Sequence, residues 1–347
     1  MSKQFRRGLF WLVNAAAFIL AVTFLFSGWV KANDPIGTMV KLSDYSTAMG
    51  LGIGEGMLLL AASVSLAFVE FSLGVCLLFG LNRKSVPRLA LVMMAVMTLL
   101  TVWLALFNPV EDCGCFGDAL ILTNKETLLK NIVLLVCAVL VWWRPRYQLR
   151  LIRPASAWLV STPLMVGIVV YAFYCINALP VVDFRPWHVG ADLRQMLEEP
   201  EQHDPHSFRV HELDVVEFYA IDEATETDRS TDIIYAENPT LLIIAPDLKT
   251  ADQGCVGLLN EAYDYTVLHG IPFYCLTASD VQAQHYWNEH TGAEYSYLQS
   301  DGRLLMTMVR ANPGLLLISN GKVVAKWSNW MLPDEAELES VLSALQP

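Results

Sequence analysis

The stretch VEDCGCFGDA at residues 110–119 places two cysteines, Cys113 and Cys115, on either side of one glycine. A disulfide needs Cα atoms about 4.4–6.8 Å apart, and Gly114 can adopt the bend that brings the two residues this close. A strained disulfide is more easily reduced, and such bonds are often active in exchange. The pair is therefore a candidate thiol/disulfide redox centre. A structural disulfide, two packed thiols and part of a metal site are the alternatives.

Acidic residues surround the pair and argue against a strong nucleophile. Glu111, Asp112 and Asp118 lie within a few residues of the cysteines, and nearby anions raise the pKa of a thiol. Metal binding is the weakest alternative, because a tetrahedral site needs four ligands and all seven histidines occur at residue 188 or later. Redox exchange and a structural pair both stay open.

The composition is that of a membrane protein joined to an acidic region. The chain has 347 residues, of which 54% are hydrophobic and 17% charged, which is too apolar for a soluble protein of this size. Residues 1–179 contain 14 basic and 8 acidic residues, whereas residues 180–347 contain 9 and 27. We therefore expect a bilayer-embedded half, an acidic half of different character, and no nucleic acid partner.

Five apolar segments approach or exceed the length needed to cross a bilayer: residues 9–30, 57–81, 89–108, 127–143 and 157–179. Trp29 and Lys31 follow the first segment where a signal peptide would need small residues, so we interpret it as a retained span. Thr123 and Glu126 predict a capping box at the start of the fourth.

Basic residues predict the orientation of these spans. Ten fall on one side if the spans alternate, namely Lys3, Arg6, Arg7, Arg83, Lys84, Arg88, Arg144, Arg146, Arg150 and Arg153. The positive-inside rule then places the N-terminus in the cytoplasm. The CGC loop and the C-terminal half are expected on the opposite, oxidising side, where a disulfide can form.

Other polar or reactive residues lie in or near the spans. Glu70 is near the middle of the second span, where a carboxylate is costly and is a functional candidate by default; the alternative is a packing role. Lys31 and Asp34 are expected to form an interfacial ion pair or anchor, although Lys31 could instead balance Glu70. Cys175, near the outer end of the fifth span, is either a packing thiol or a resolving thiol for the CGC pair.

The C-terminal pattern is α/β. Residues 240–245 and 271–278 predict buried strands, residues 255–270 an amphipathic helix, and residues 280–290 a second helix capped by Ser279 and Gln282. Residues 314–319 and 322–328, joined by Asn320-Gly321, predict a hairpin, and a last helix opens at Pro333. Before them, residues 208–219 are the one plausible strand region, and residues 222–232 predict a solvated loop.

Strand, helix, strand, helix, hairpin and helix, with Asn312-Pro313-Gly314 before the hairpin, resemble the thioredoxin fold over about residues 239–347. The resemblance implies that Pro313 is the cis-proline that faces the active site in that family. It also implies a C-x-x-C pair near residues 247–258, where this chain has only Cys255. A lone cysteine cannot carry out the family's internal disulfide exchange.

The apolar half resembles the DoxX/MauE group of small four-helix membrane proteins over about residues 1–145. The resemblance rests on residues 27–37 (SGWVKANDPIG), on Glu70 and Gly74, on residues 113–118 (CGCFGD) and on residues 130–135 (KNIVLL). It implies a redox-associated protein of the bacterial inner membrane, with the C-terminal domain in the periplasm.

The sequence thus predicts four regions: a DoxX/MauE-like four-helix domain (1–145), a fifth transmembrane helix (146–180), an acidic connection (181–238) and a thioredoxin-like domain (239–347). The first hypothesis is a membrane thiol/disulfide component. In it Cys113 and Cys115 exchange electrons, Glu70 handles a proton or polarises a carrier such as a quinone, and the C-terminal domain docks a periplasmic redox partner or client. The competing hypothesis is a membrane scaffold or assembly factor with a structural CGC disulfide.

Overall fold

The computed structural model describes residues 3–110, 113–194, 218–222, 225–292 and 295–345. The chain divides into two compact units, Met1–Ile176 and Asn177–Pro347. The first is helical and the second contains a mixed β-sheet. Most of the predicted strand region 208–219 lies outside the described residues.

Five helices in the described part of the chain are long and apolar enough to cross a membrane. They are α1 (Lys3–Asn33), α3 (Met57–Phe79), α4 (Val86–Phe107), α5 (Asn124–Trp143) and α6 (Ala157–Ala178). The five predicted spans are therefore confirmed. The capping box of α5 is also present, with the Thr123 hydroxyl accepting from the backbone N–H of Glu126 and the Glu126 carboxylate accepting from that of Thr123.

A helix that the sequence reading did not include, α2 (Pro35–Ala48), follows α1 almost without a break. The Asp34 side chain accepts a hydrogen bond from the N–H of Gly37, and Pro35 occupies the first turn. Both are standard helix-start signals. Because α2 carries several polar residues and is short, it does not show the long apolar run by which the spans were recognised.

The α1 and α3 helices pack with their backbones in close approach at two glycines. A Cβ atom added to Gly28 would lie 2.5 Å from the backbone N of Phe71, and one added to Gly74 would lie 2.7 Å from the backbone N of Leu25. Small residues allow this approach, which is a common way for helices to associate in membranes. The contact brings the polar face of α1 near Lys31 against the middle of α3.

The C-terminal unit contains strands β1 (Ile221–Asp222), β2 (Thr227–Asp228), β3 (Thr240–Ala245), β4 (Phe273–Thr277), β5 (Tyr297–Gln299), β6 (Gly314–Ser319) and β7 (Lys322–Ser328). In the described residues they form one sheet in the order β2-β1-β5-β4-β3-β6-β7. The central strands β3, β4 and β5 are parallel, and β6 is antiparallel to both β3 and β7. The predicted strands at 240–245, 314–319 and 322–328 are confirmed.

Helices flank this sheet at Ser230–Ile234, Val256–His269, Val281–Thr291, Gly302–Met308 and Glu335–Ser343. The predicted solvated loop at 222–232 was wrong in part, because it contains β2 and the start of a helix. The predicted cap at Ser279 was also wrong. Asp280 caps the helix Val281–Thr291, whereas the Ser279 hydroxyl accepts from the N–H of Leu248.

The sheet is buried on both faces. Alternate residues of β3 belong to different cores: Leu241 and Ile243 pack on one face, and Leu242 and Ile244 on the other. This follows from the two-residue period of a strand. An apolar run without alternation is the pattern expected of a central strand covered on both faces.

A buried ionic cluster ties the start of this unit to β7. The Asp183 carboxylate accepts from Arg185 at 2.8 Å and from Lys326 at 2.7 Å, and Lys326 also donates to the carbonyl of Trp187. Arg185 continues the connection by donating to the carbonyl of Thr307. Buried charges are stabilised only when paired and hydrogen-bonded in this manner, so the cluster is part of the architecture of the C-terminal unit.

The glycine contact between α1 and α3 predicts a large effect of one methyl group. Gly28→Ala should destabilise the protein by about 1–3 kcal/mol, because the added Cβ meets backbone atoms that cannot move independently. Gly167→Ala is the matched control, since a Cβ at Gly167 in α6 meets nothing within 4 Å. Thermal unfolding in detergent would measure both, and equal midpoints for the two variants would contradict this packing.

Candidate functional site

The CGC loop turns sharply between α4 and α5. Gly114 and Gly117 have φ angles of +59° and +50°, which are conformations that residues with a side chain rarely adopt. The N–H of Gly117 donates to the carbonyl of Gly114 at 3.1 Å and closes the turn. This bend places the Cys113 and Cys115 side chains on the same side, where their sulfurs are hydrogen-bonded.

Side chains from α1 and α2 hold the carbonyl groups of both cysteines. The Cys115 carbonyl accepts from Lys31 Nζ at 2.8 Å and from Ser27 Oγ at 2.7 Å. The Cys113 carbonyl accepts from the hydroxyl of Tyr45. The pair is thus positioned from its backbone, which leaves the two sulfurs available to each other.

Lys31 and Glu70 form a buried ion pair beneath the loop. Lys31 Nζ lies 2.9 Å from Glu70 Oε2, and the two residues are only 3% and 2% exposed. An ammonium has three donors, and those of Lys31 reach Glu70, the Cys115 carbonyl and Ser27 Oγ. The alternative expectation for Lys31, that it balances Glu70, therefore agrees with the geometry.

The two thiols differ in acidity. The pKa of Cys115 is lowered, first because Cys113 donates a hydrogen bond to its sulfur and then because the ammonium groups of Lys130 and Lys31 lie nearby. The pKa of Cys113 is raised by the same hydrogen bond and by burial. Glu111 and Asp112 lie outside the described residues, so the expected effect of the flanking acids on the two thiols stays a prediction.

Lys130 reaches the loop from α5. Its Nζ lies 4.0 Å from the centroid of the Phe116 ring, a cation–π distance. No role in the CGC site was predicted for Lys130 from the sequence. Cys115, Phe116 and Gly117 line a small cleft at the surface together with Thr127 of α5, so Cys115 borders accessible space.

Three further predicted residues lie in other elements of the helical unit. Asp34 caps α2, and Asp118 lies in a short 3-10 helix, Gly117–Ala119. Cys175 is buried in α6, where its thiol is hydrogen-bonded to the Tyr171 hydroxyl, which in turn donates to Asn33. The contacts described for Cys175 and for the CGC pair share no residue, so a resolving role for Cys175 stays a prediction.

In the C-terminal unit, hydrogen bonds of Asp252 connect Cys255 to Asn312, the residue before Pro313. The Cys255 thiol donates to the carbonyl of Asp252 at 3.2 Å, and the N–H of Asp252 donates to the carbonyl of Asn312 at 3.0 Å. The Asn312–Pro313 peptide bond is cis. Burial and the neighbouring Asp252 raise the pKa of Cys255 to about 11, which makes this thiol a poor nucleophile at neutral pH.

Sequence reasoning did not single out Ser27, Tyr45 or Lys130. Ser27 precedes Lys31 by four residues and so shares its helix face, which is a signal that was available. Lys130 is the first residue of the segment KNIVLL at 130–135. Tyr45 had no such signal, because its helix was not predicted. Among the described residues, no three His, Cys, Asp or Glu side chains come together as a metal site would require.

The buried ion pair predicts strong coupling between its partners. Lys31→Met and Glu70→Met should each cost about 3–5 kcal/mol, because each leaves an uncompensated buried charge. The double variant should cost far less than the sum of the two. Denaturant unfolding in detergent would measure the cycle, with Lys125→Met on the exposed start of α5 as control; additive effects would contradict the pairing.

Comparison with known proteins supports the membrane part of this description. Residues 9–144 match the family model described as methylamine utilisation protein MauE. The matched range includes the CGC pair, Lys31, Glu70 and Lys130. No curated protein and no solved structure matches the chain significantly. The protein is thus a multi-pass membrane protein whose helical part is similar to the MauE family over residues 9–144, followed by a mixed-sheet domain.

Proposed function

We propose that this protein is a thiol/disulfide exchange component of the bacterial inner membrane that acts through Cys113 and Cys115 at the periplasmic face. The observation that carries the proposal is the hydrogen-bonded pair of sulfurs, in which one thiol is made more acidic and both carbonyls are held by buried polar side chains. A packed structural element gains little from an acidified thiol, whereas exchange requires a thiolate.

The exchange is a balanced two-electron step. The thiolate of one cysteine attacks a disulfide of a partner protein, an S–S bond forms between the chains, and one partner sulfur leaves as a thiol after taking a proton. The second cysteine then attacks the mixed disulfide, closes the Cys113–Cys115 bond and releases the second partner thiol. The partner gains two electrons and two protons, and the CGC pair loses them; the reverse direction oxidises a client.

In this proposal Lys31 and Glu70 are positioning residues. Lys31 holds the Cys115 carbonyl, and Glu70 supplies the counter-charge that lets an ammonium be buried there. The expectation that Glu70 handles a proton or polarises a quinone requires a quinone as the second electron acceptor. Glu70 would then have to break its ion pair with Lys31 to act on the quinone.

The periplasmic location rests on the distribution of basic residues. The ten lysines and arginines of the N-terminus and of the loops after α3 and α5 would face the cytoplasm. The CGC loop joins the end of α4 to the start of α5, on the side of the membrane opposite to these basic residues. The chain after α6 would emerge on the same side as that loop. An oxidising compartment there would sustain a disulfide.

The C-terminal domain would dock the partner rather than react with it. Its parallel β3 and β4, the β6–β7 hairpin and Pro313 before β6 support a thioredoxin-like domain. Cys255 has no second cysteine in its sequence neighbourhood, and its pKa is raised to about 11. The domain would thus keep a binding surface beside Pro313 without the redox chemistry.

The raised pKa of Cys255 also favours the second candidate, a scaffold or assembly factor. In that case the acidic C-terminal half would be the docking surface, and the CGC pair would be a structural element held by Lys31, Ser27 and Tyr45. The two candidates differ in one measurable property, which is whether the pair changes its redox state under physiological conditions.

Thiol trapping with a maleimide of large mass on native membranes would test exchange. Equilibration with glutathione buffers from reducing to oxidising should convert the pair between two free thiols and none, and Cys113→Ser or Cys115→Ser should abolish the conversion. Cys76→Ser is the control, because Cys76 lies within α3. A pair that keeps one state in every buffer, while the variants only lower stability, would establish the scaffold and overturn exchange.

A further inference from the structure

The two sulfurs of the CGC pair have different surroundings. Cys113 is buried, with 6% of its surface exposed, whereas Cys115 is half-buried and lines the surface cleft next to Phe116 and Thr127. A partner disulfide must reach the attacking sulfur in line with its own S–S bond. Of the two residues, Cys115 is the one that lines the cleft.

The hydrogen bonds of the pair are also unequal. The Tyr45 hydroxyl donates to the Cys113 carbonyl. The hydrogen bond with Cys115 and burial raise the pKa of the Cys113 thiol, whereas Tyr45 acts in the opposite direction. The hydrogen bond between the two sulfurs raises the pKa of Cys113 and lowers that of Cys115. A thiol that donates keeps its proton, and a sulfur that accepts is stabilised as the anion.

Lys130 and Lys31 both lower the pKa of Cys115, whereas Cys113 is affected by Lys130 and not by Lys31. Lys31 Nζ is bound to the Cys115 carbonyl, but its charge is balanced by Glu70 at 2.9 Å. Lys130 approaches from α5 and lies on the Phe116 ring, the residue next to Cys115. Among the described residues, the charged and titratable groups that affect this sulfur include Cys113 from the loop, Lys31 from α1, Glu70 from α3 and Lys130 from α5.

We infer that Cys115 is the attacking sulfur that forms the mixed disulfide with a partner, that Cys113 is the resolving sulfur, and that Lys130 stabilises the Cys115 thiolate. The inference rests on the proposed exchange function and deepens it by naming the bond to the partner. Lys130 acts through the thiolate of Cys115, as a positioning charge, and touches no substrate.

Variants of the full chain that keep one cysteine of the CGC pair test the polarity in detergent. Reduced Cys113→Ser should be alkylated by iodoacetamide at Cys115 about tenfold or more faster than reduced Cys115→Ser at Cys113, since one pKa unit changes the thiolate fraction tenfold. Glutathione disulfide should form a stable adduct on Cys113→Ser and little on Cys115→Ser. Peptide mass spectrometry would assign each site. Equal rates, or faster reaction at Cys113, would overturn the inference.

The role of Lys130 is tested by the pH profile. In the Cys113→Ser background, Lys130→Gln and Lys130→Met should move the midpoint of Cys115 alkylation to higher pH and slow the reaction several-fold at pH 7, whereas Lys130→Arg should keep the profile. Lys125→Gln is the matched control, because Lys125 is exposed on the same helix. A profile of Lys130→Gln equal to that of Lys125→Gln would overturn the assignment.

These results separate the inference from the proposed function. Iodoacetamide needs no partner, so the polarity can hold even where the wild-type pair fails to respond to glutathione buffers; that outcome would contradict the proposed exchange and leave the local chemistry as inferred. If the wild-type pair exchanges while Cys113→Ser and Cys115→Ser react equally fast with iodoacetamide, the polarity is contradicted and the exchange function is not.

Discussion

The buried ion pair between Lys31 and Glu70 is the interaction on which the arrangement of the CGC loop depends. Neither charge could lie at this depth alone, since an unpaired ion in a medium of low dielectric costs several kcal/mol. Paired, the ammonium has two donors left, and these bind Ser27 and the Cys115 carbonyl. The carboxylate in α3 thereby determines where a loop between α4 and α5 is held.

The ion pair in turn requires the close contact of α1 with α3. Gly28 lies three residues before Lys31, and Gly74 lies four residues after Glu70, so each glycine is on the same helix face as the neighbouring charge. With larger residues at these positions the helices would separate, and the Lys31–Glu70 distance of 2.9 Å could not be kept. Apolar packing and the polar site therefore form one structural unit.

The charged residues next to Cys115 in the sequence differ from the charged residues near it in the folded protein. Along the sequence Cys115 is surrounded by acids, whereas in space it lies near the cations of α1 and α5. The C-terminal unit shows the opposite case. Cys255 is buried there and faces Asp252, so its pKa rises to about 11, which makes this thiol a poor nucleophile at neutral pH.

The sequence by itself determined the five spans, the buried strand β3 and the β6–β7 hairpin, because long apolar runs, an uninterrupted apolar strand and an Asn-Gly turn are local signals. It also indicated Cys113, Cys115 and Glu70, since a C-x-C pair and an intramembrane carboxylate are unusual wherever they occur. Only the tertiary structure decided their partners. Lys31 is 39 residues from Glu70 and 84 from Cys115, and Lys130 comes from another helix. Contacts over such separations depend on helix packing, which no local pattern specifies.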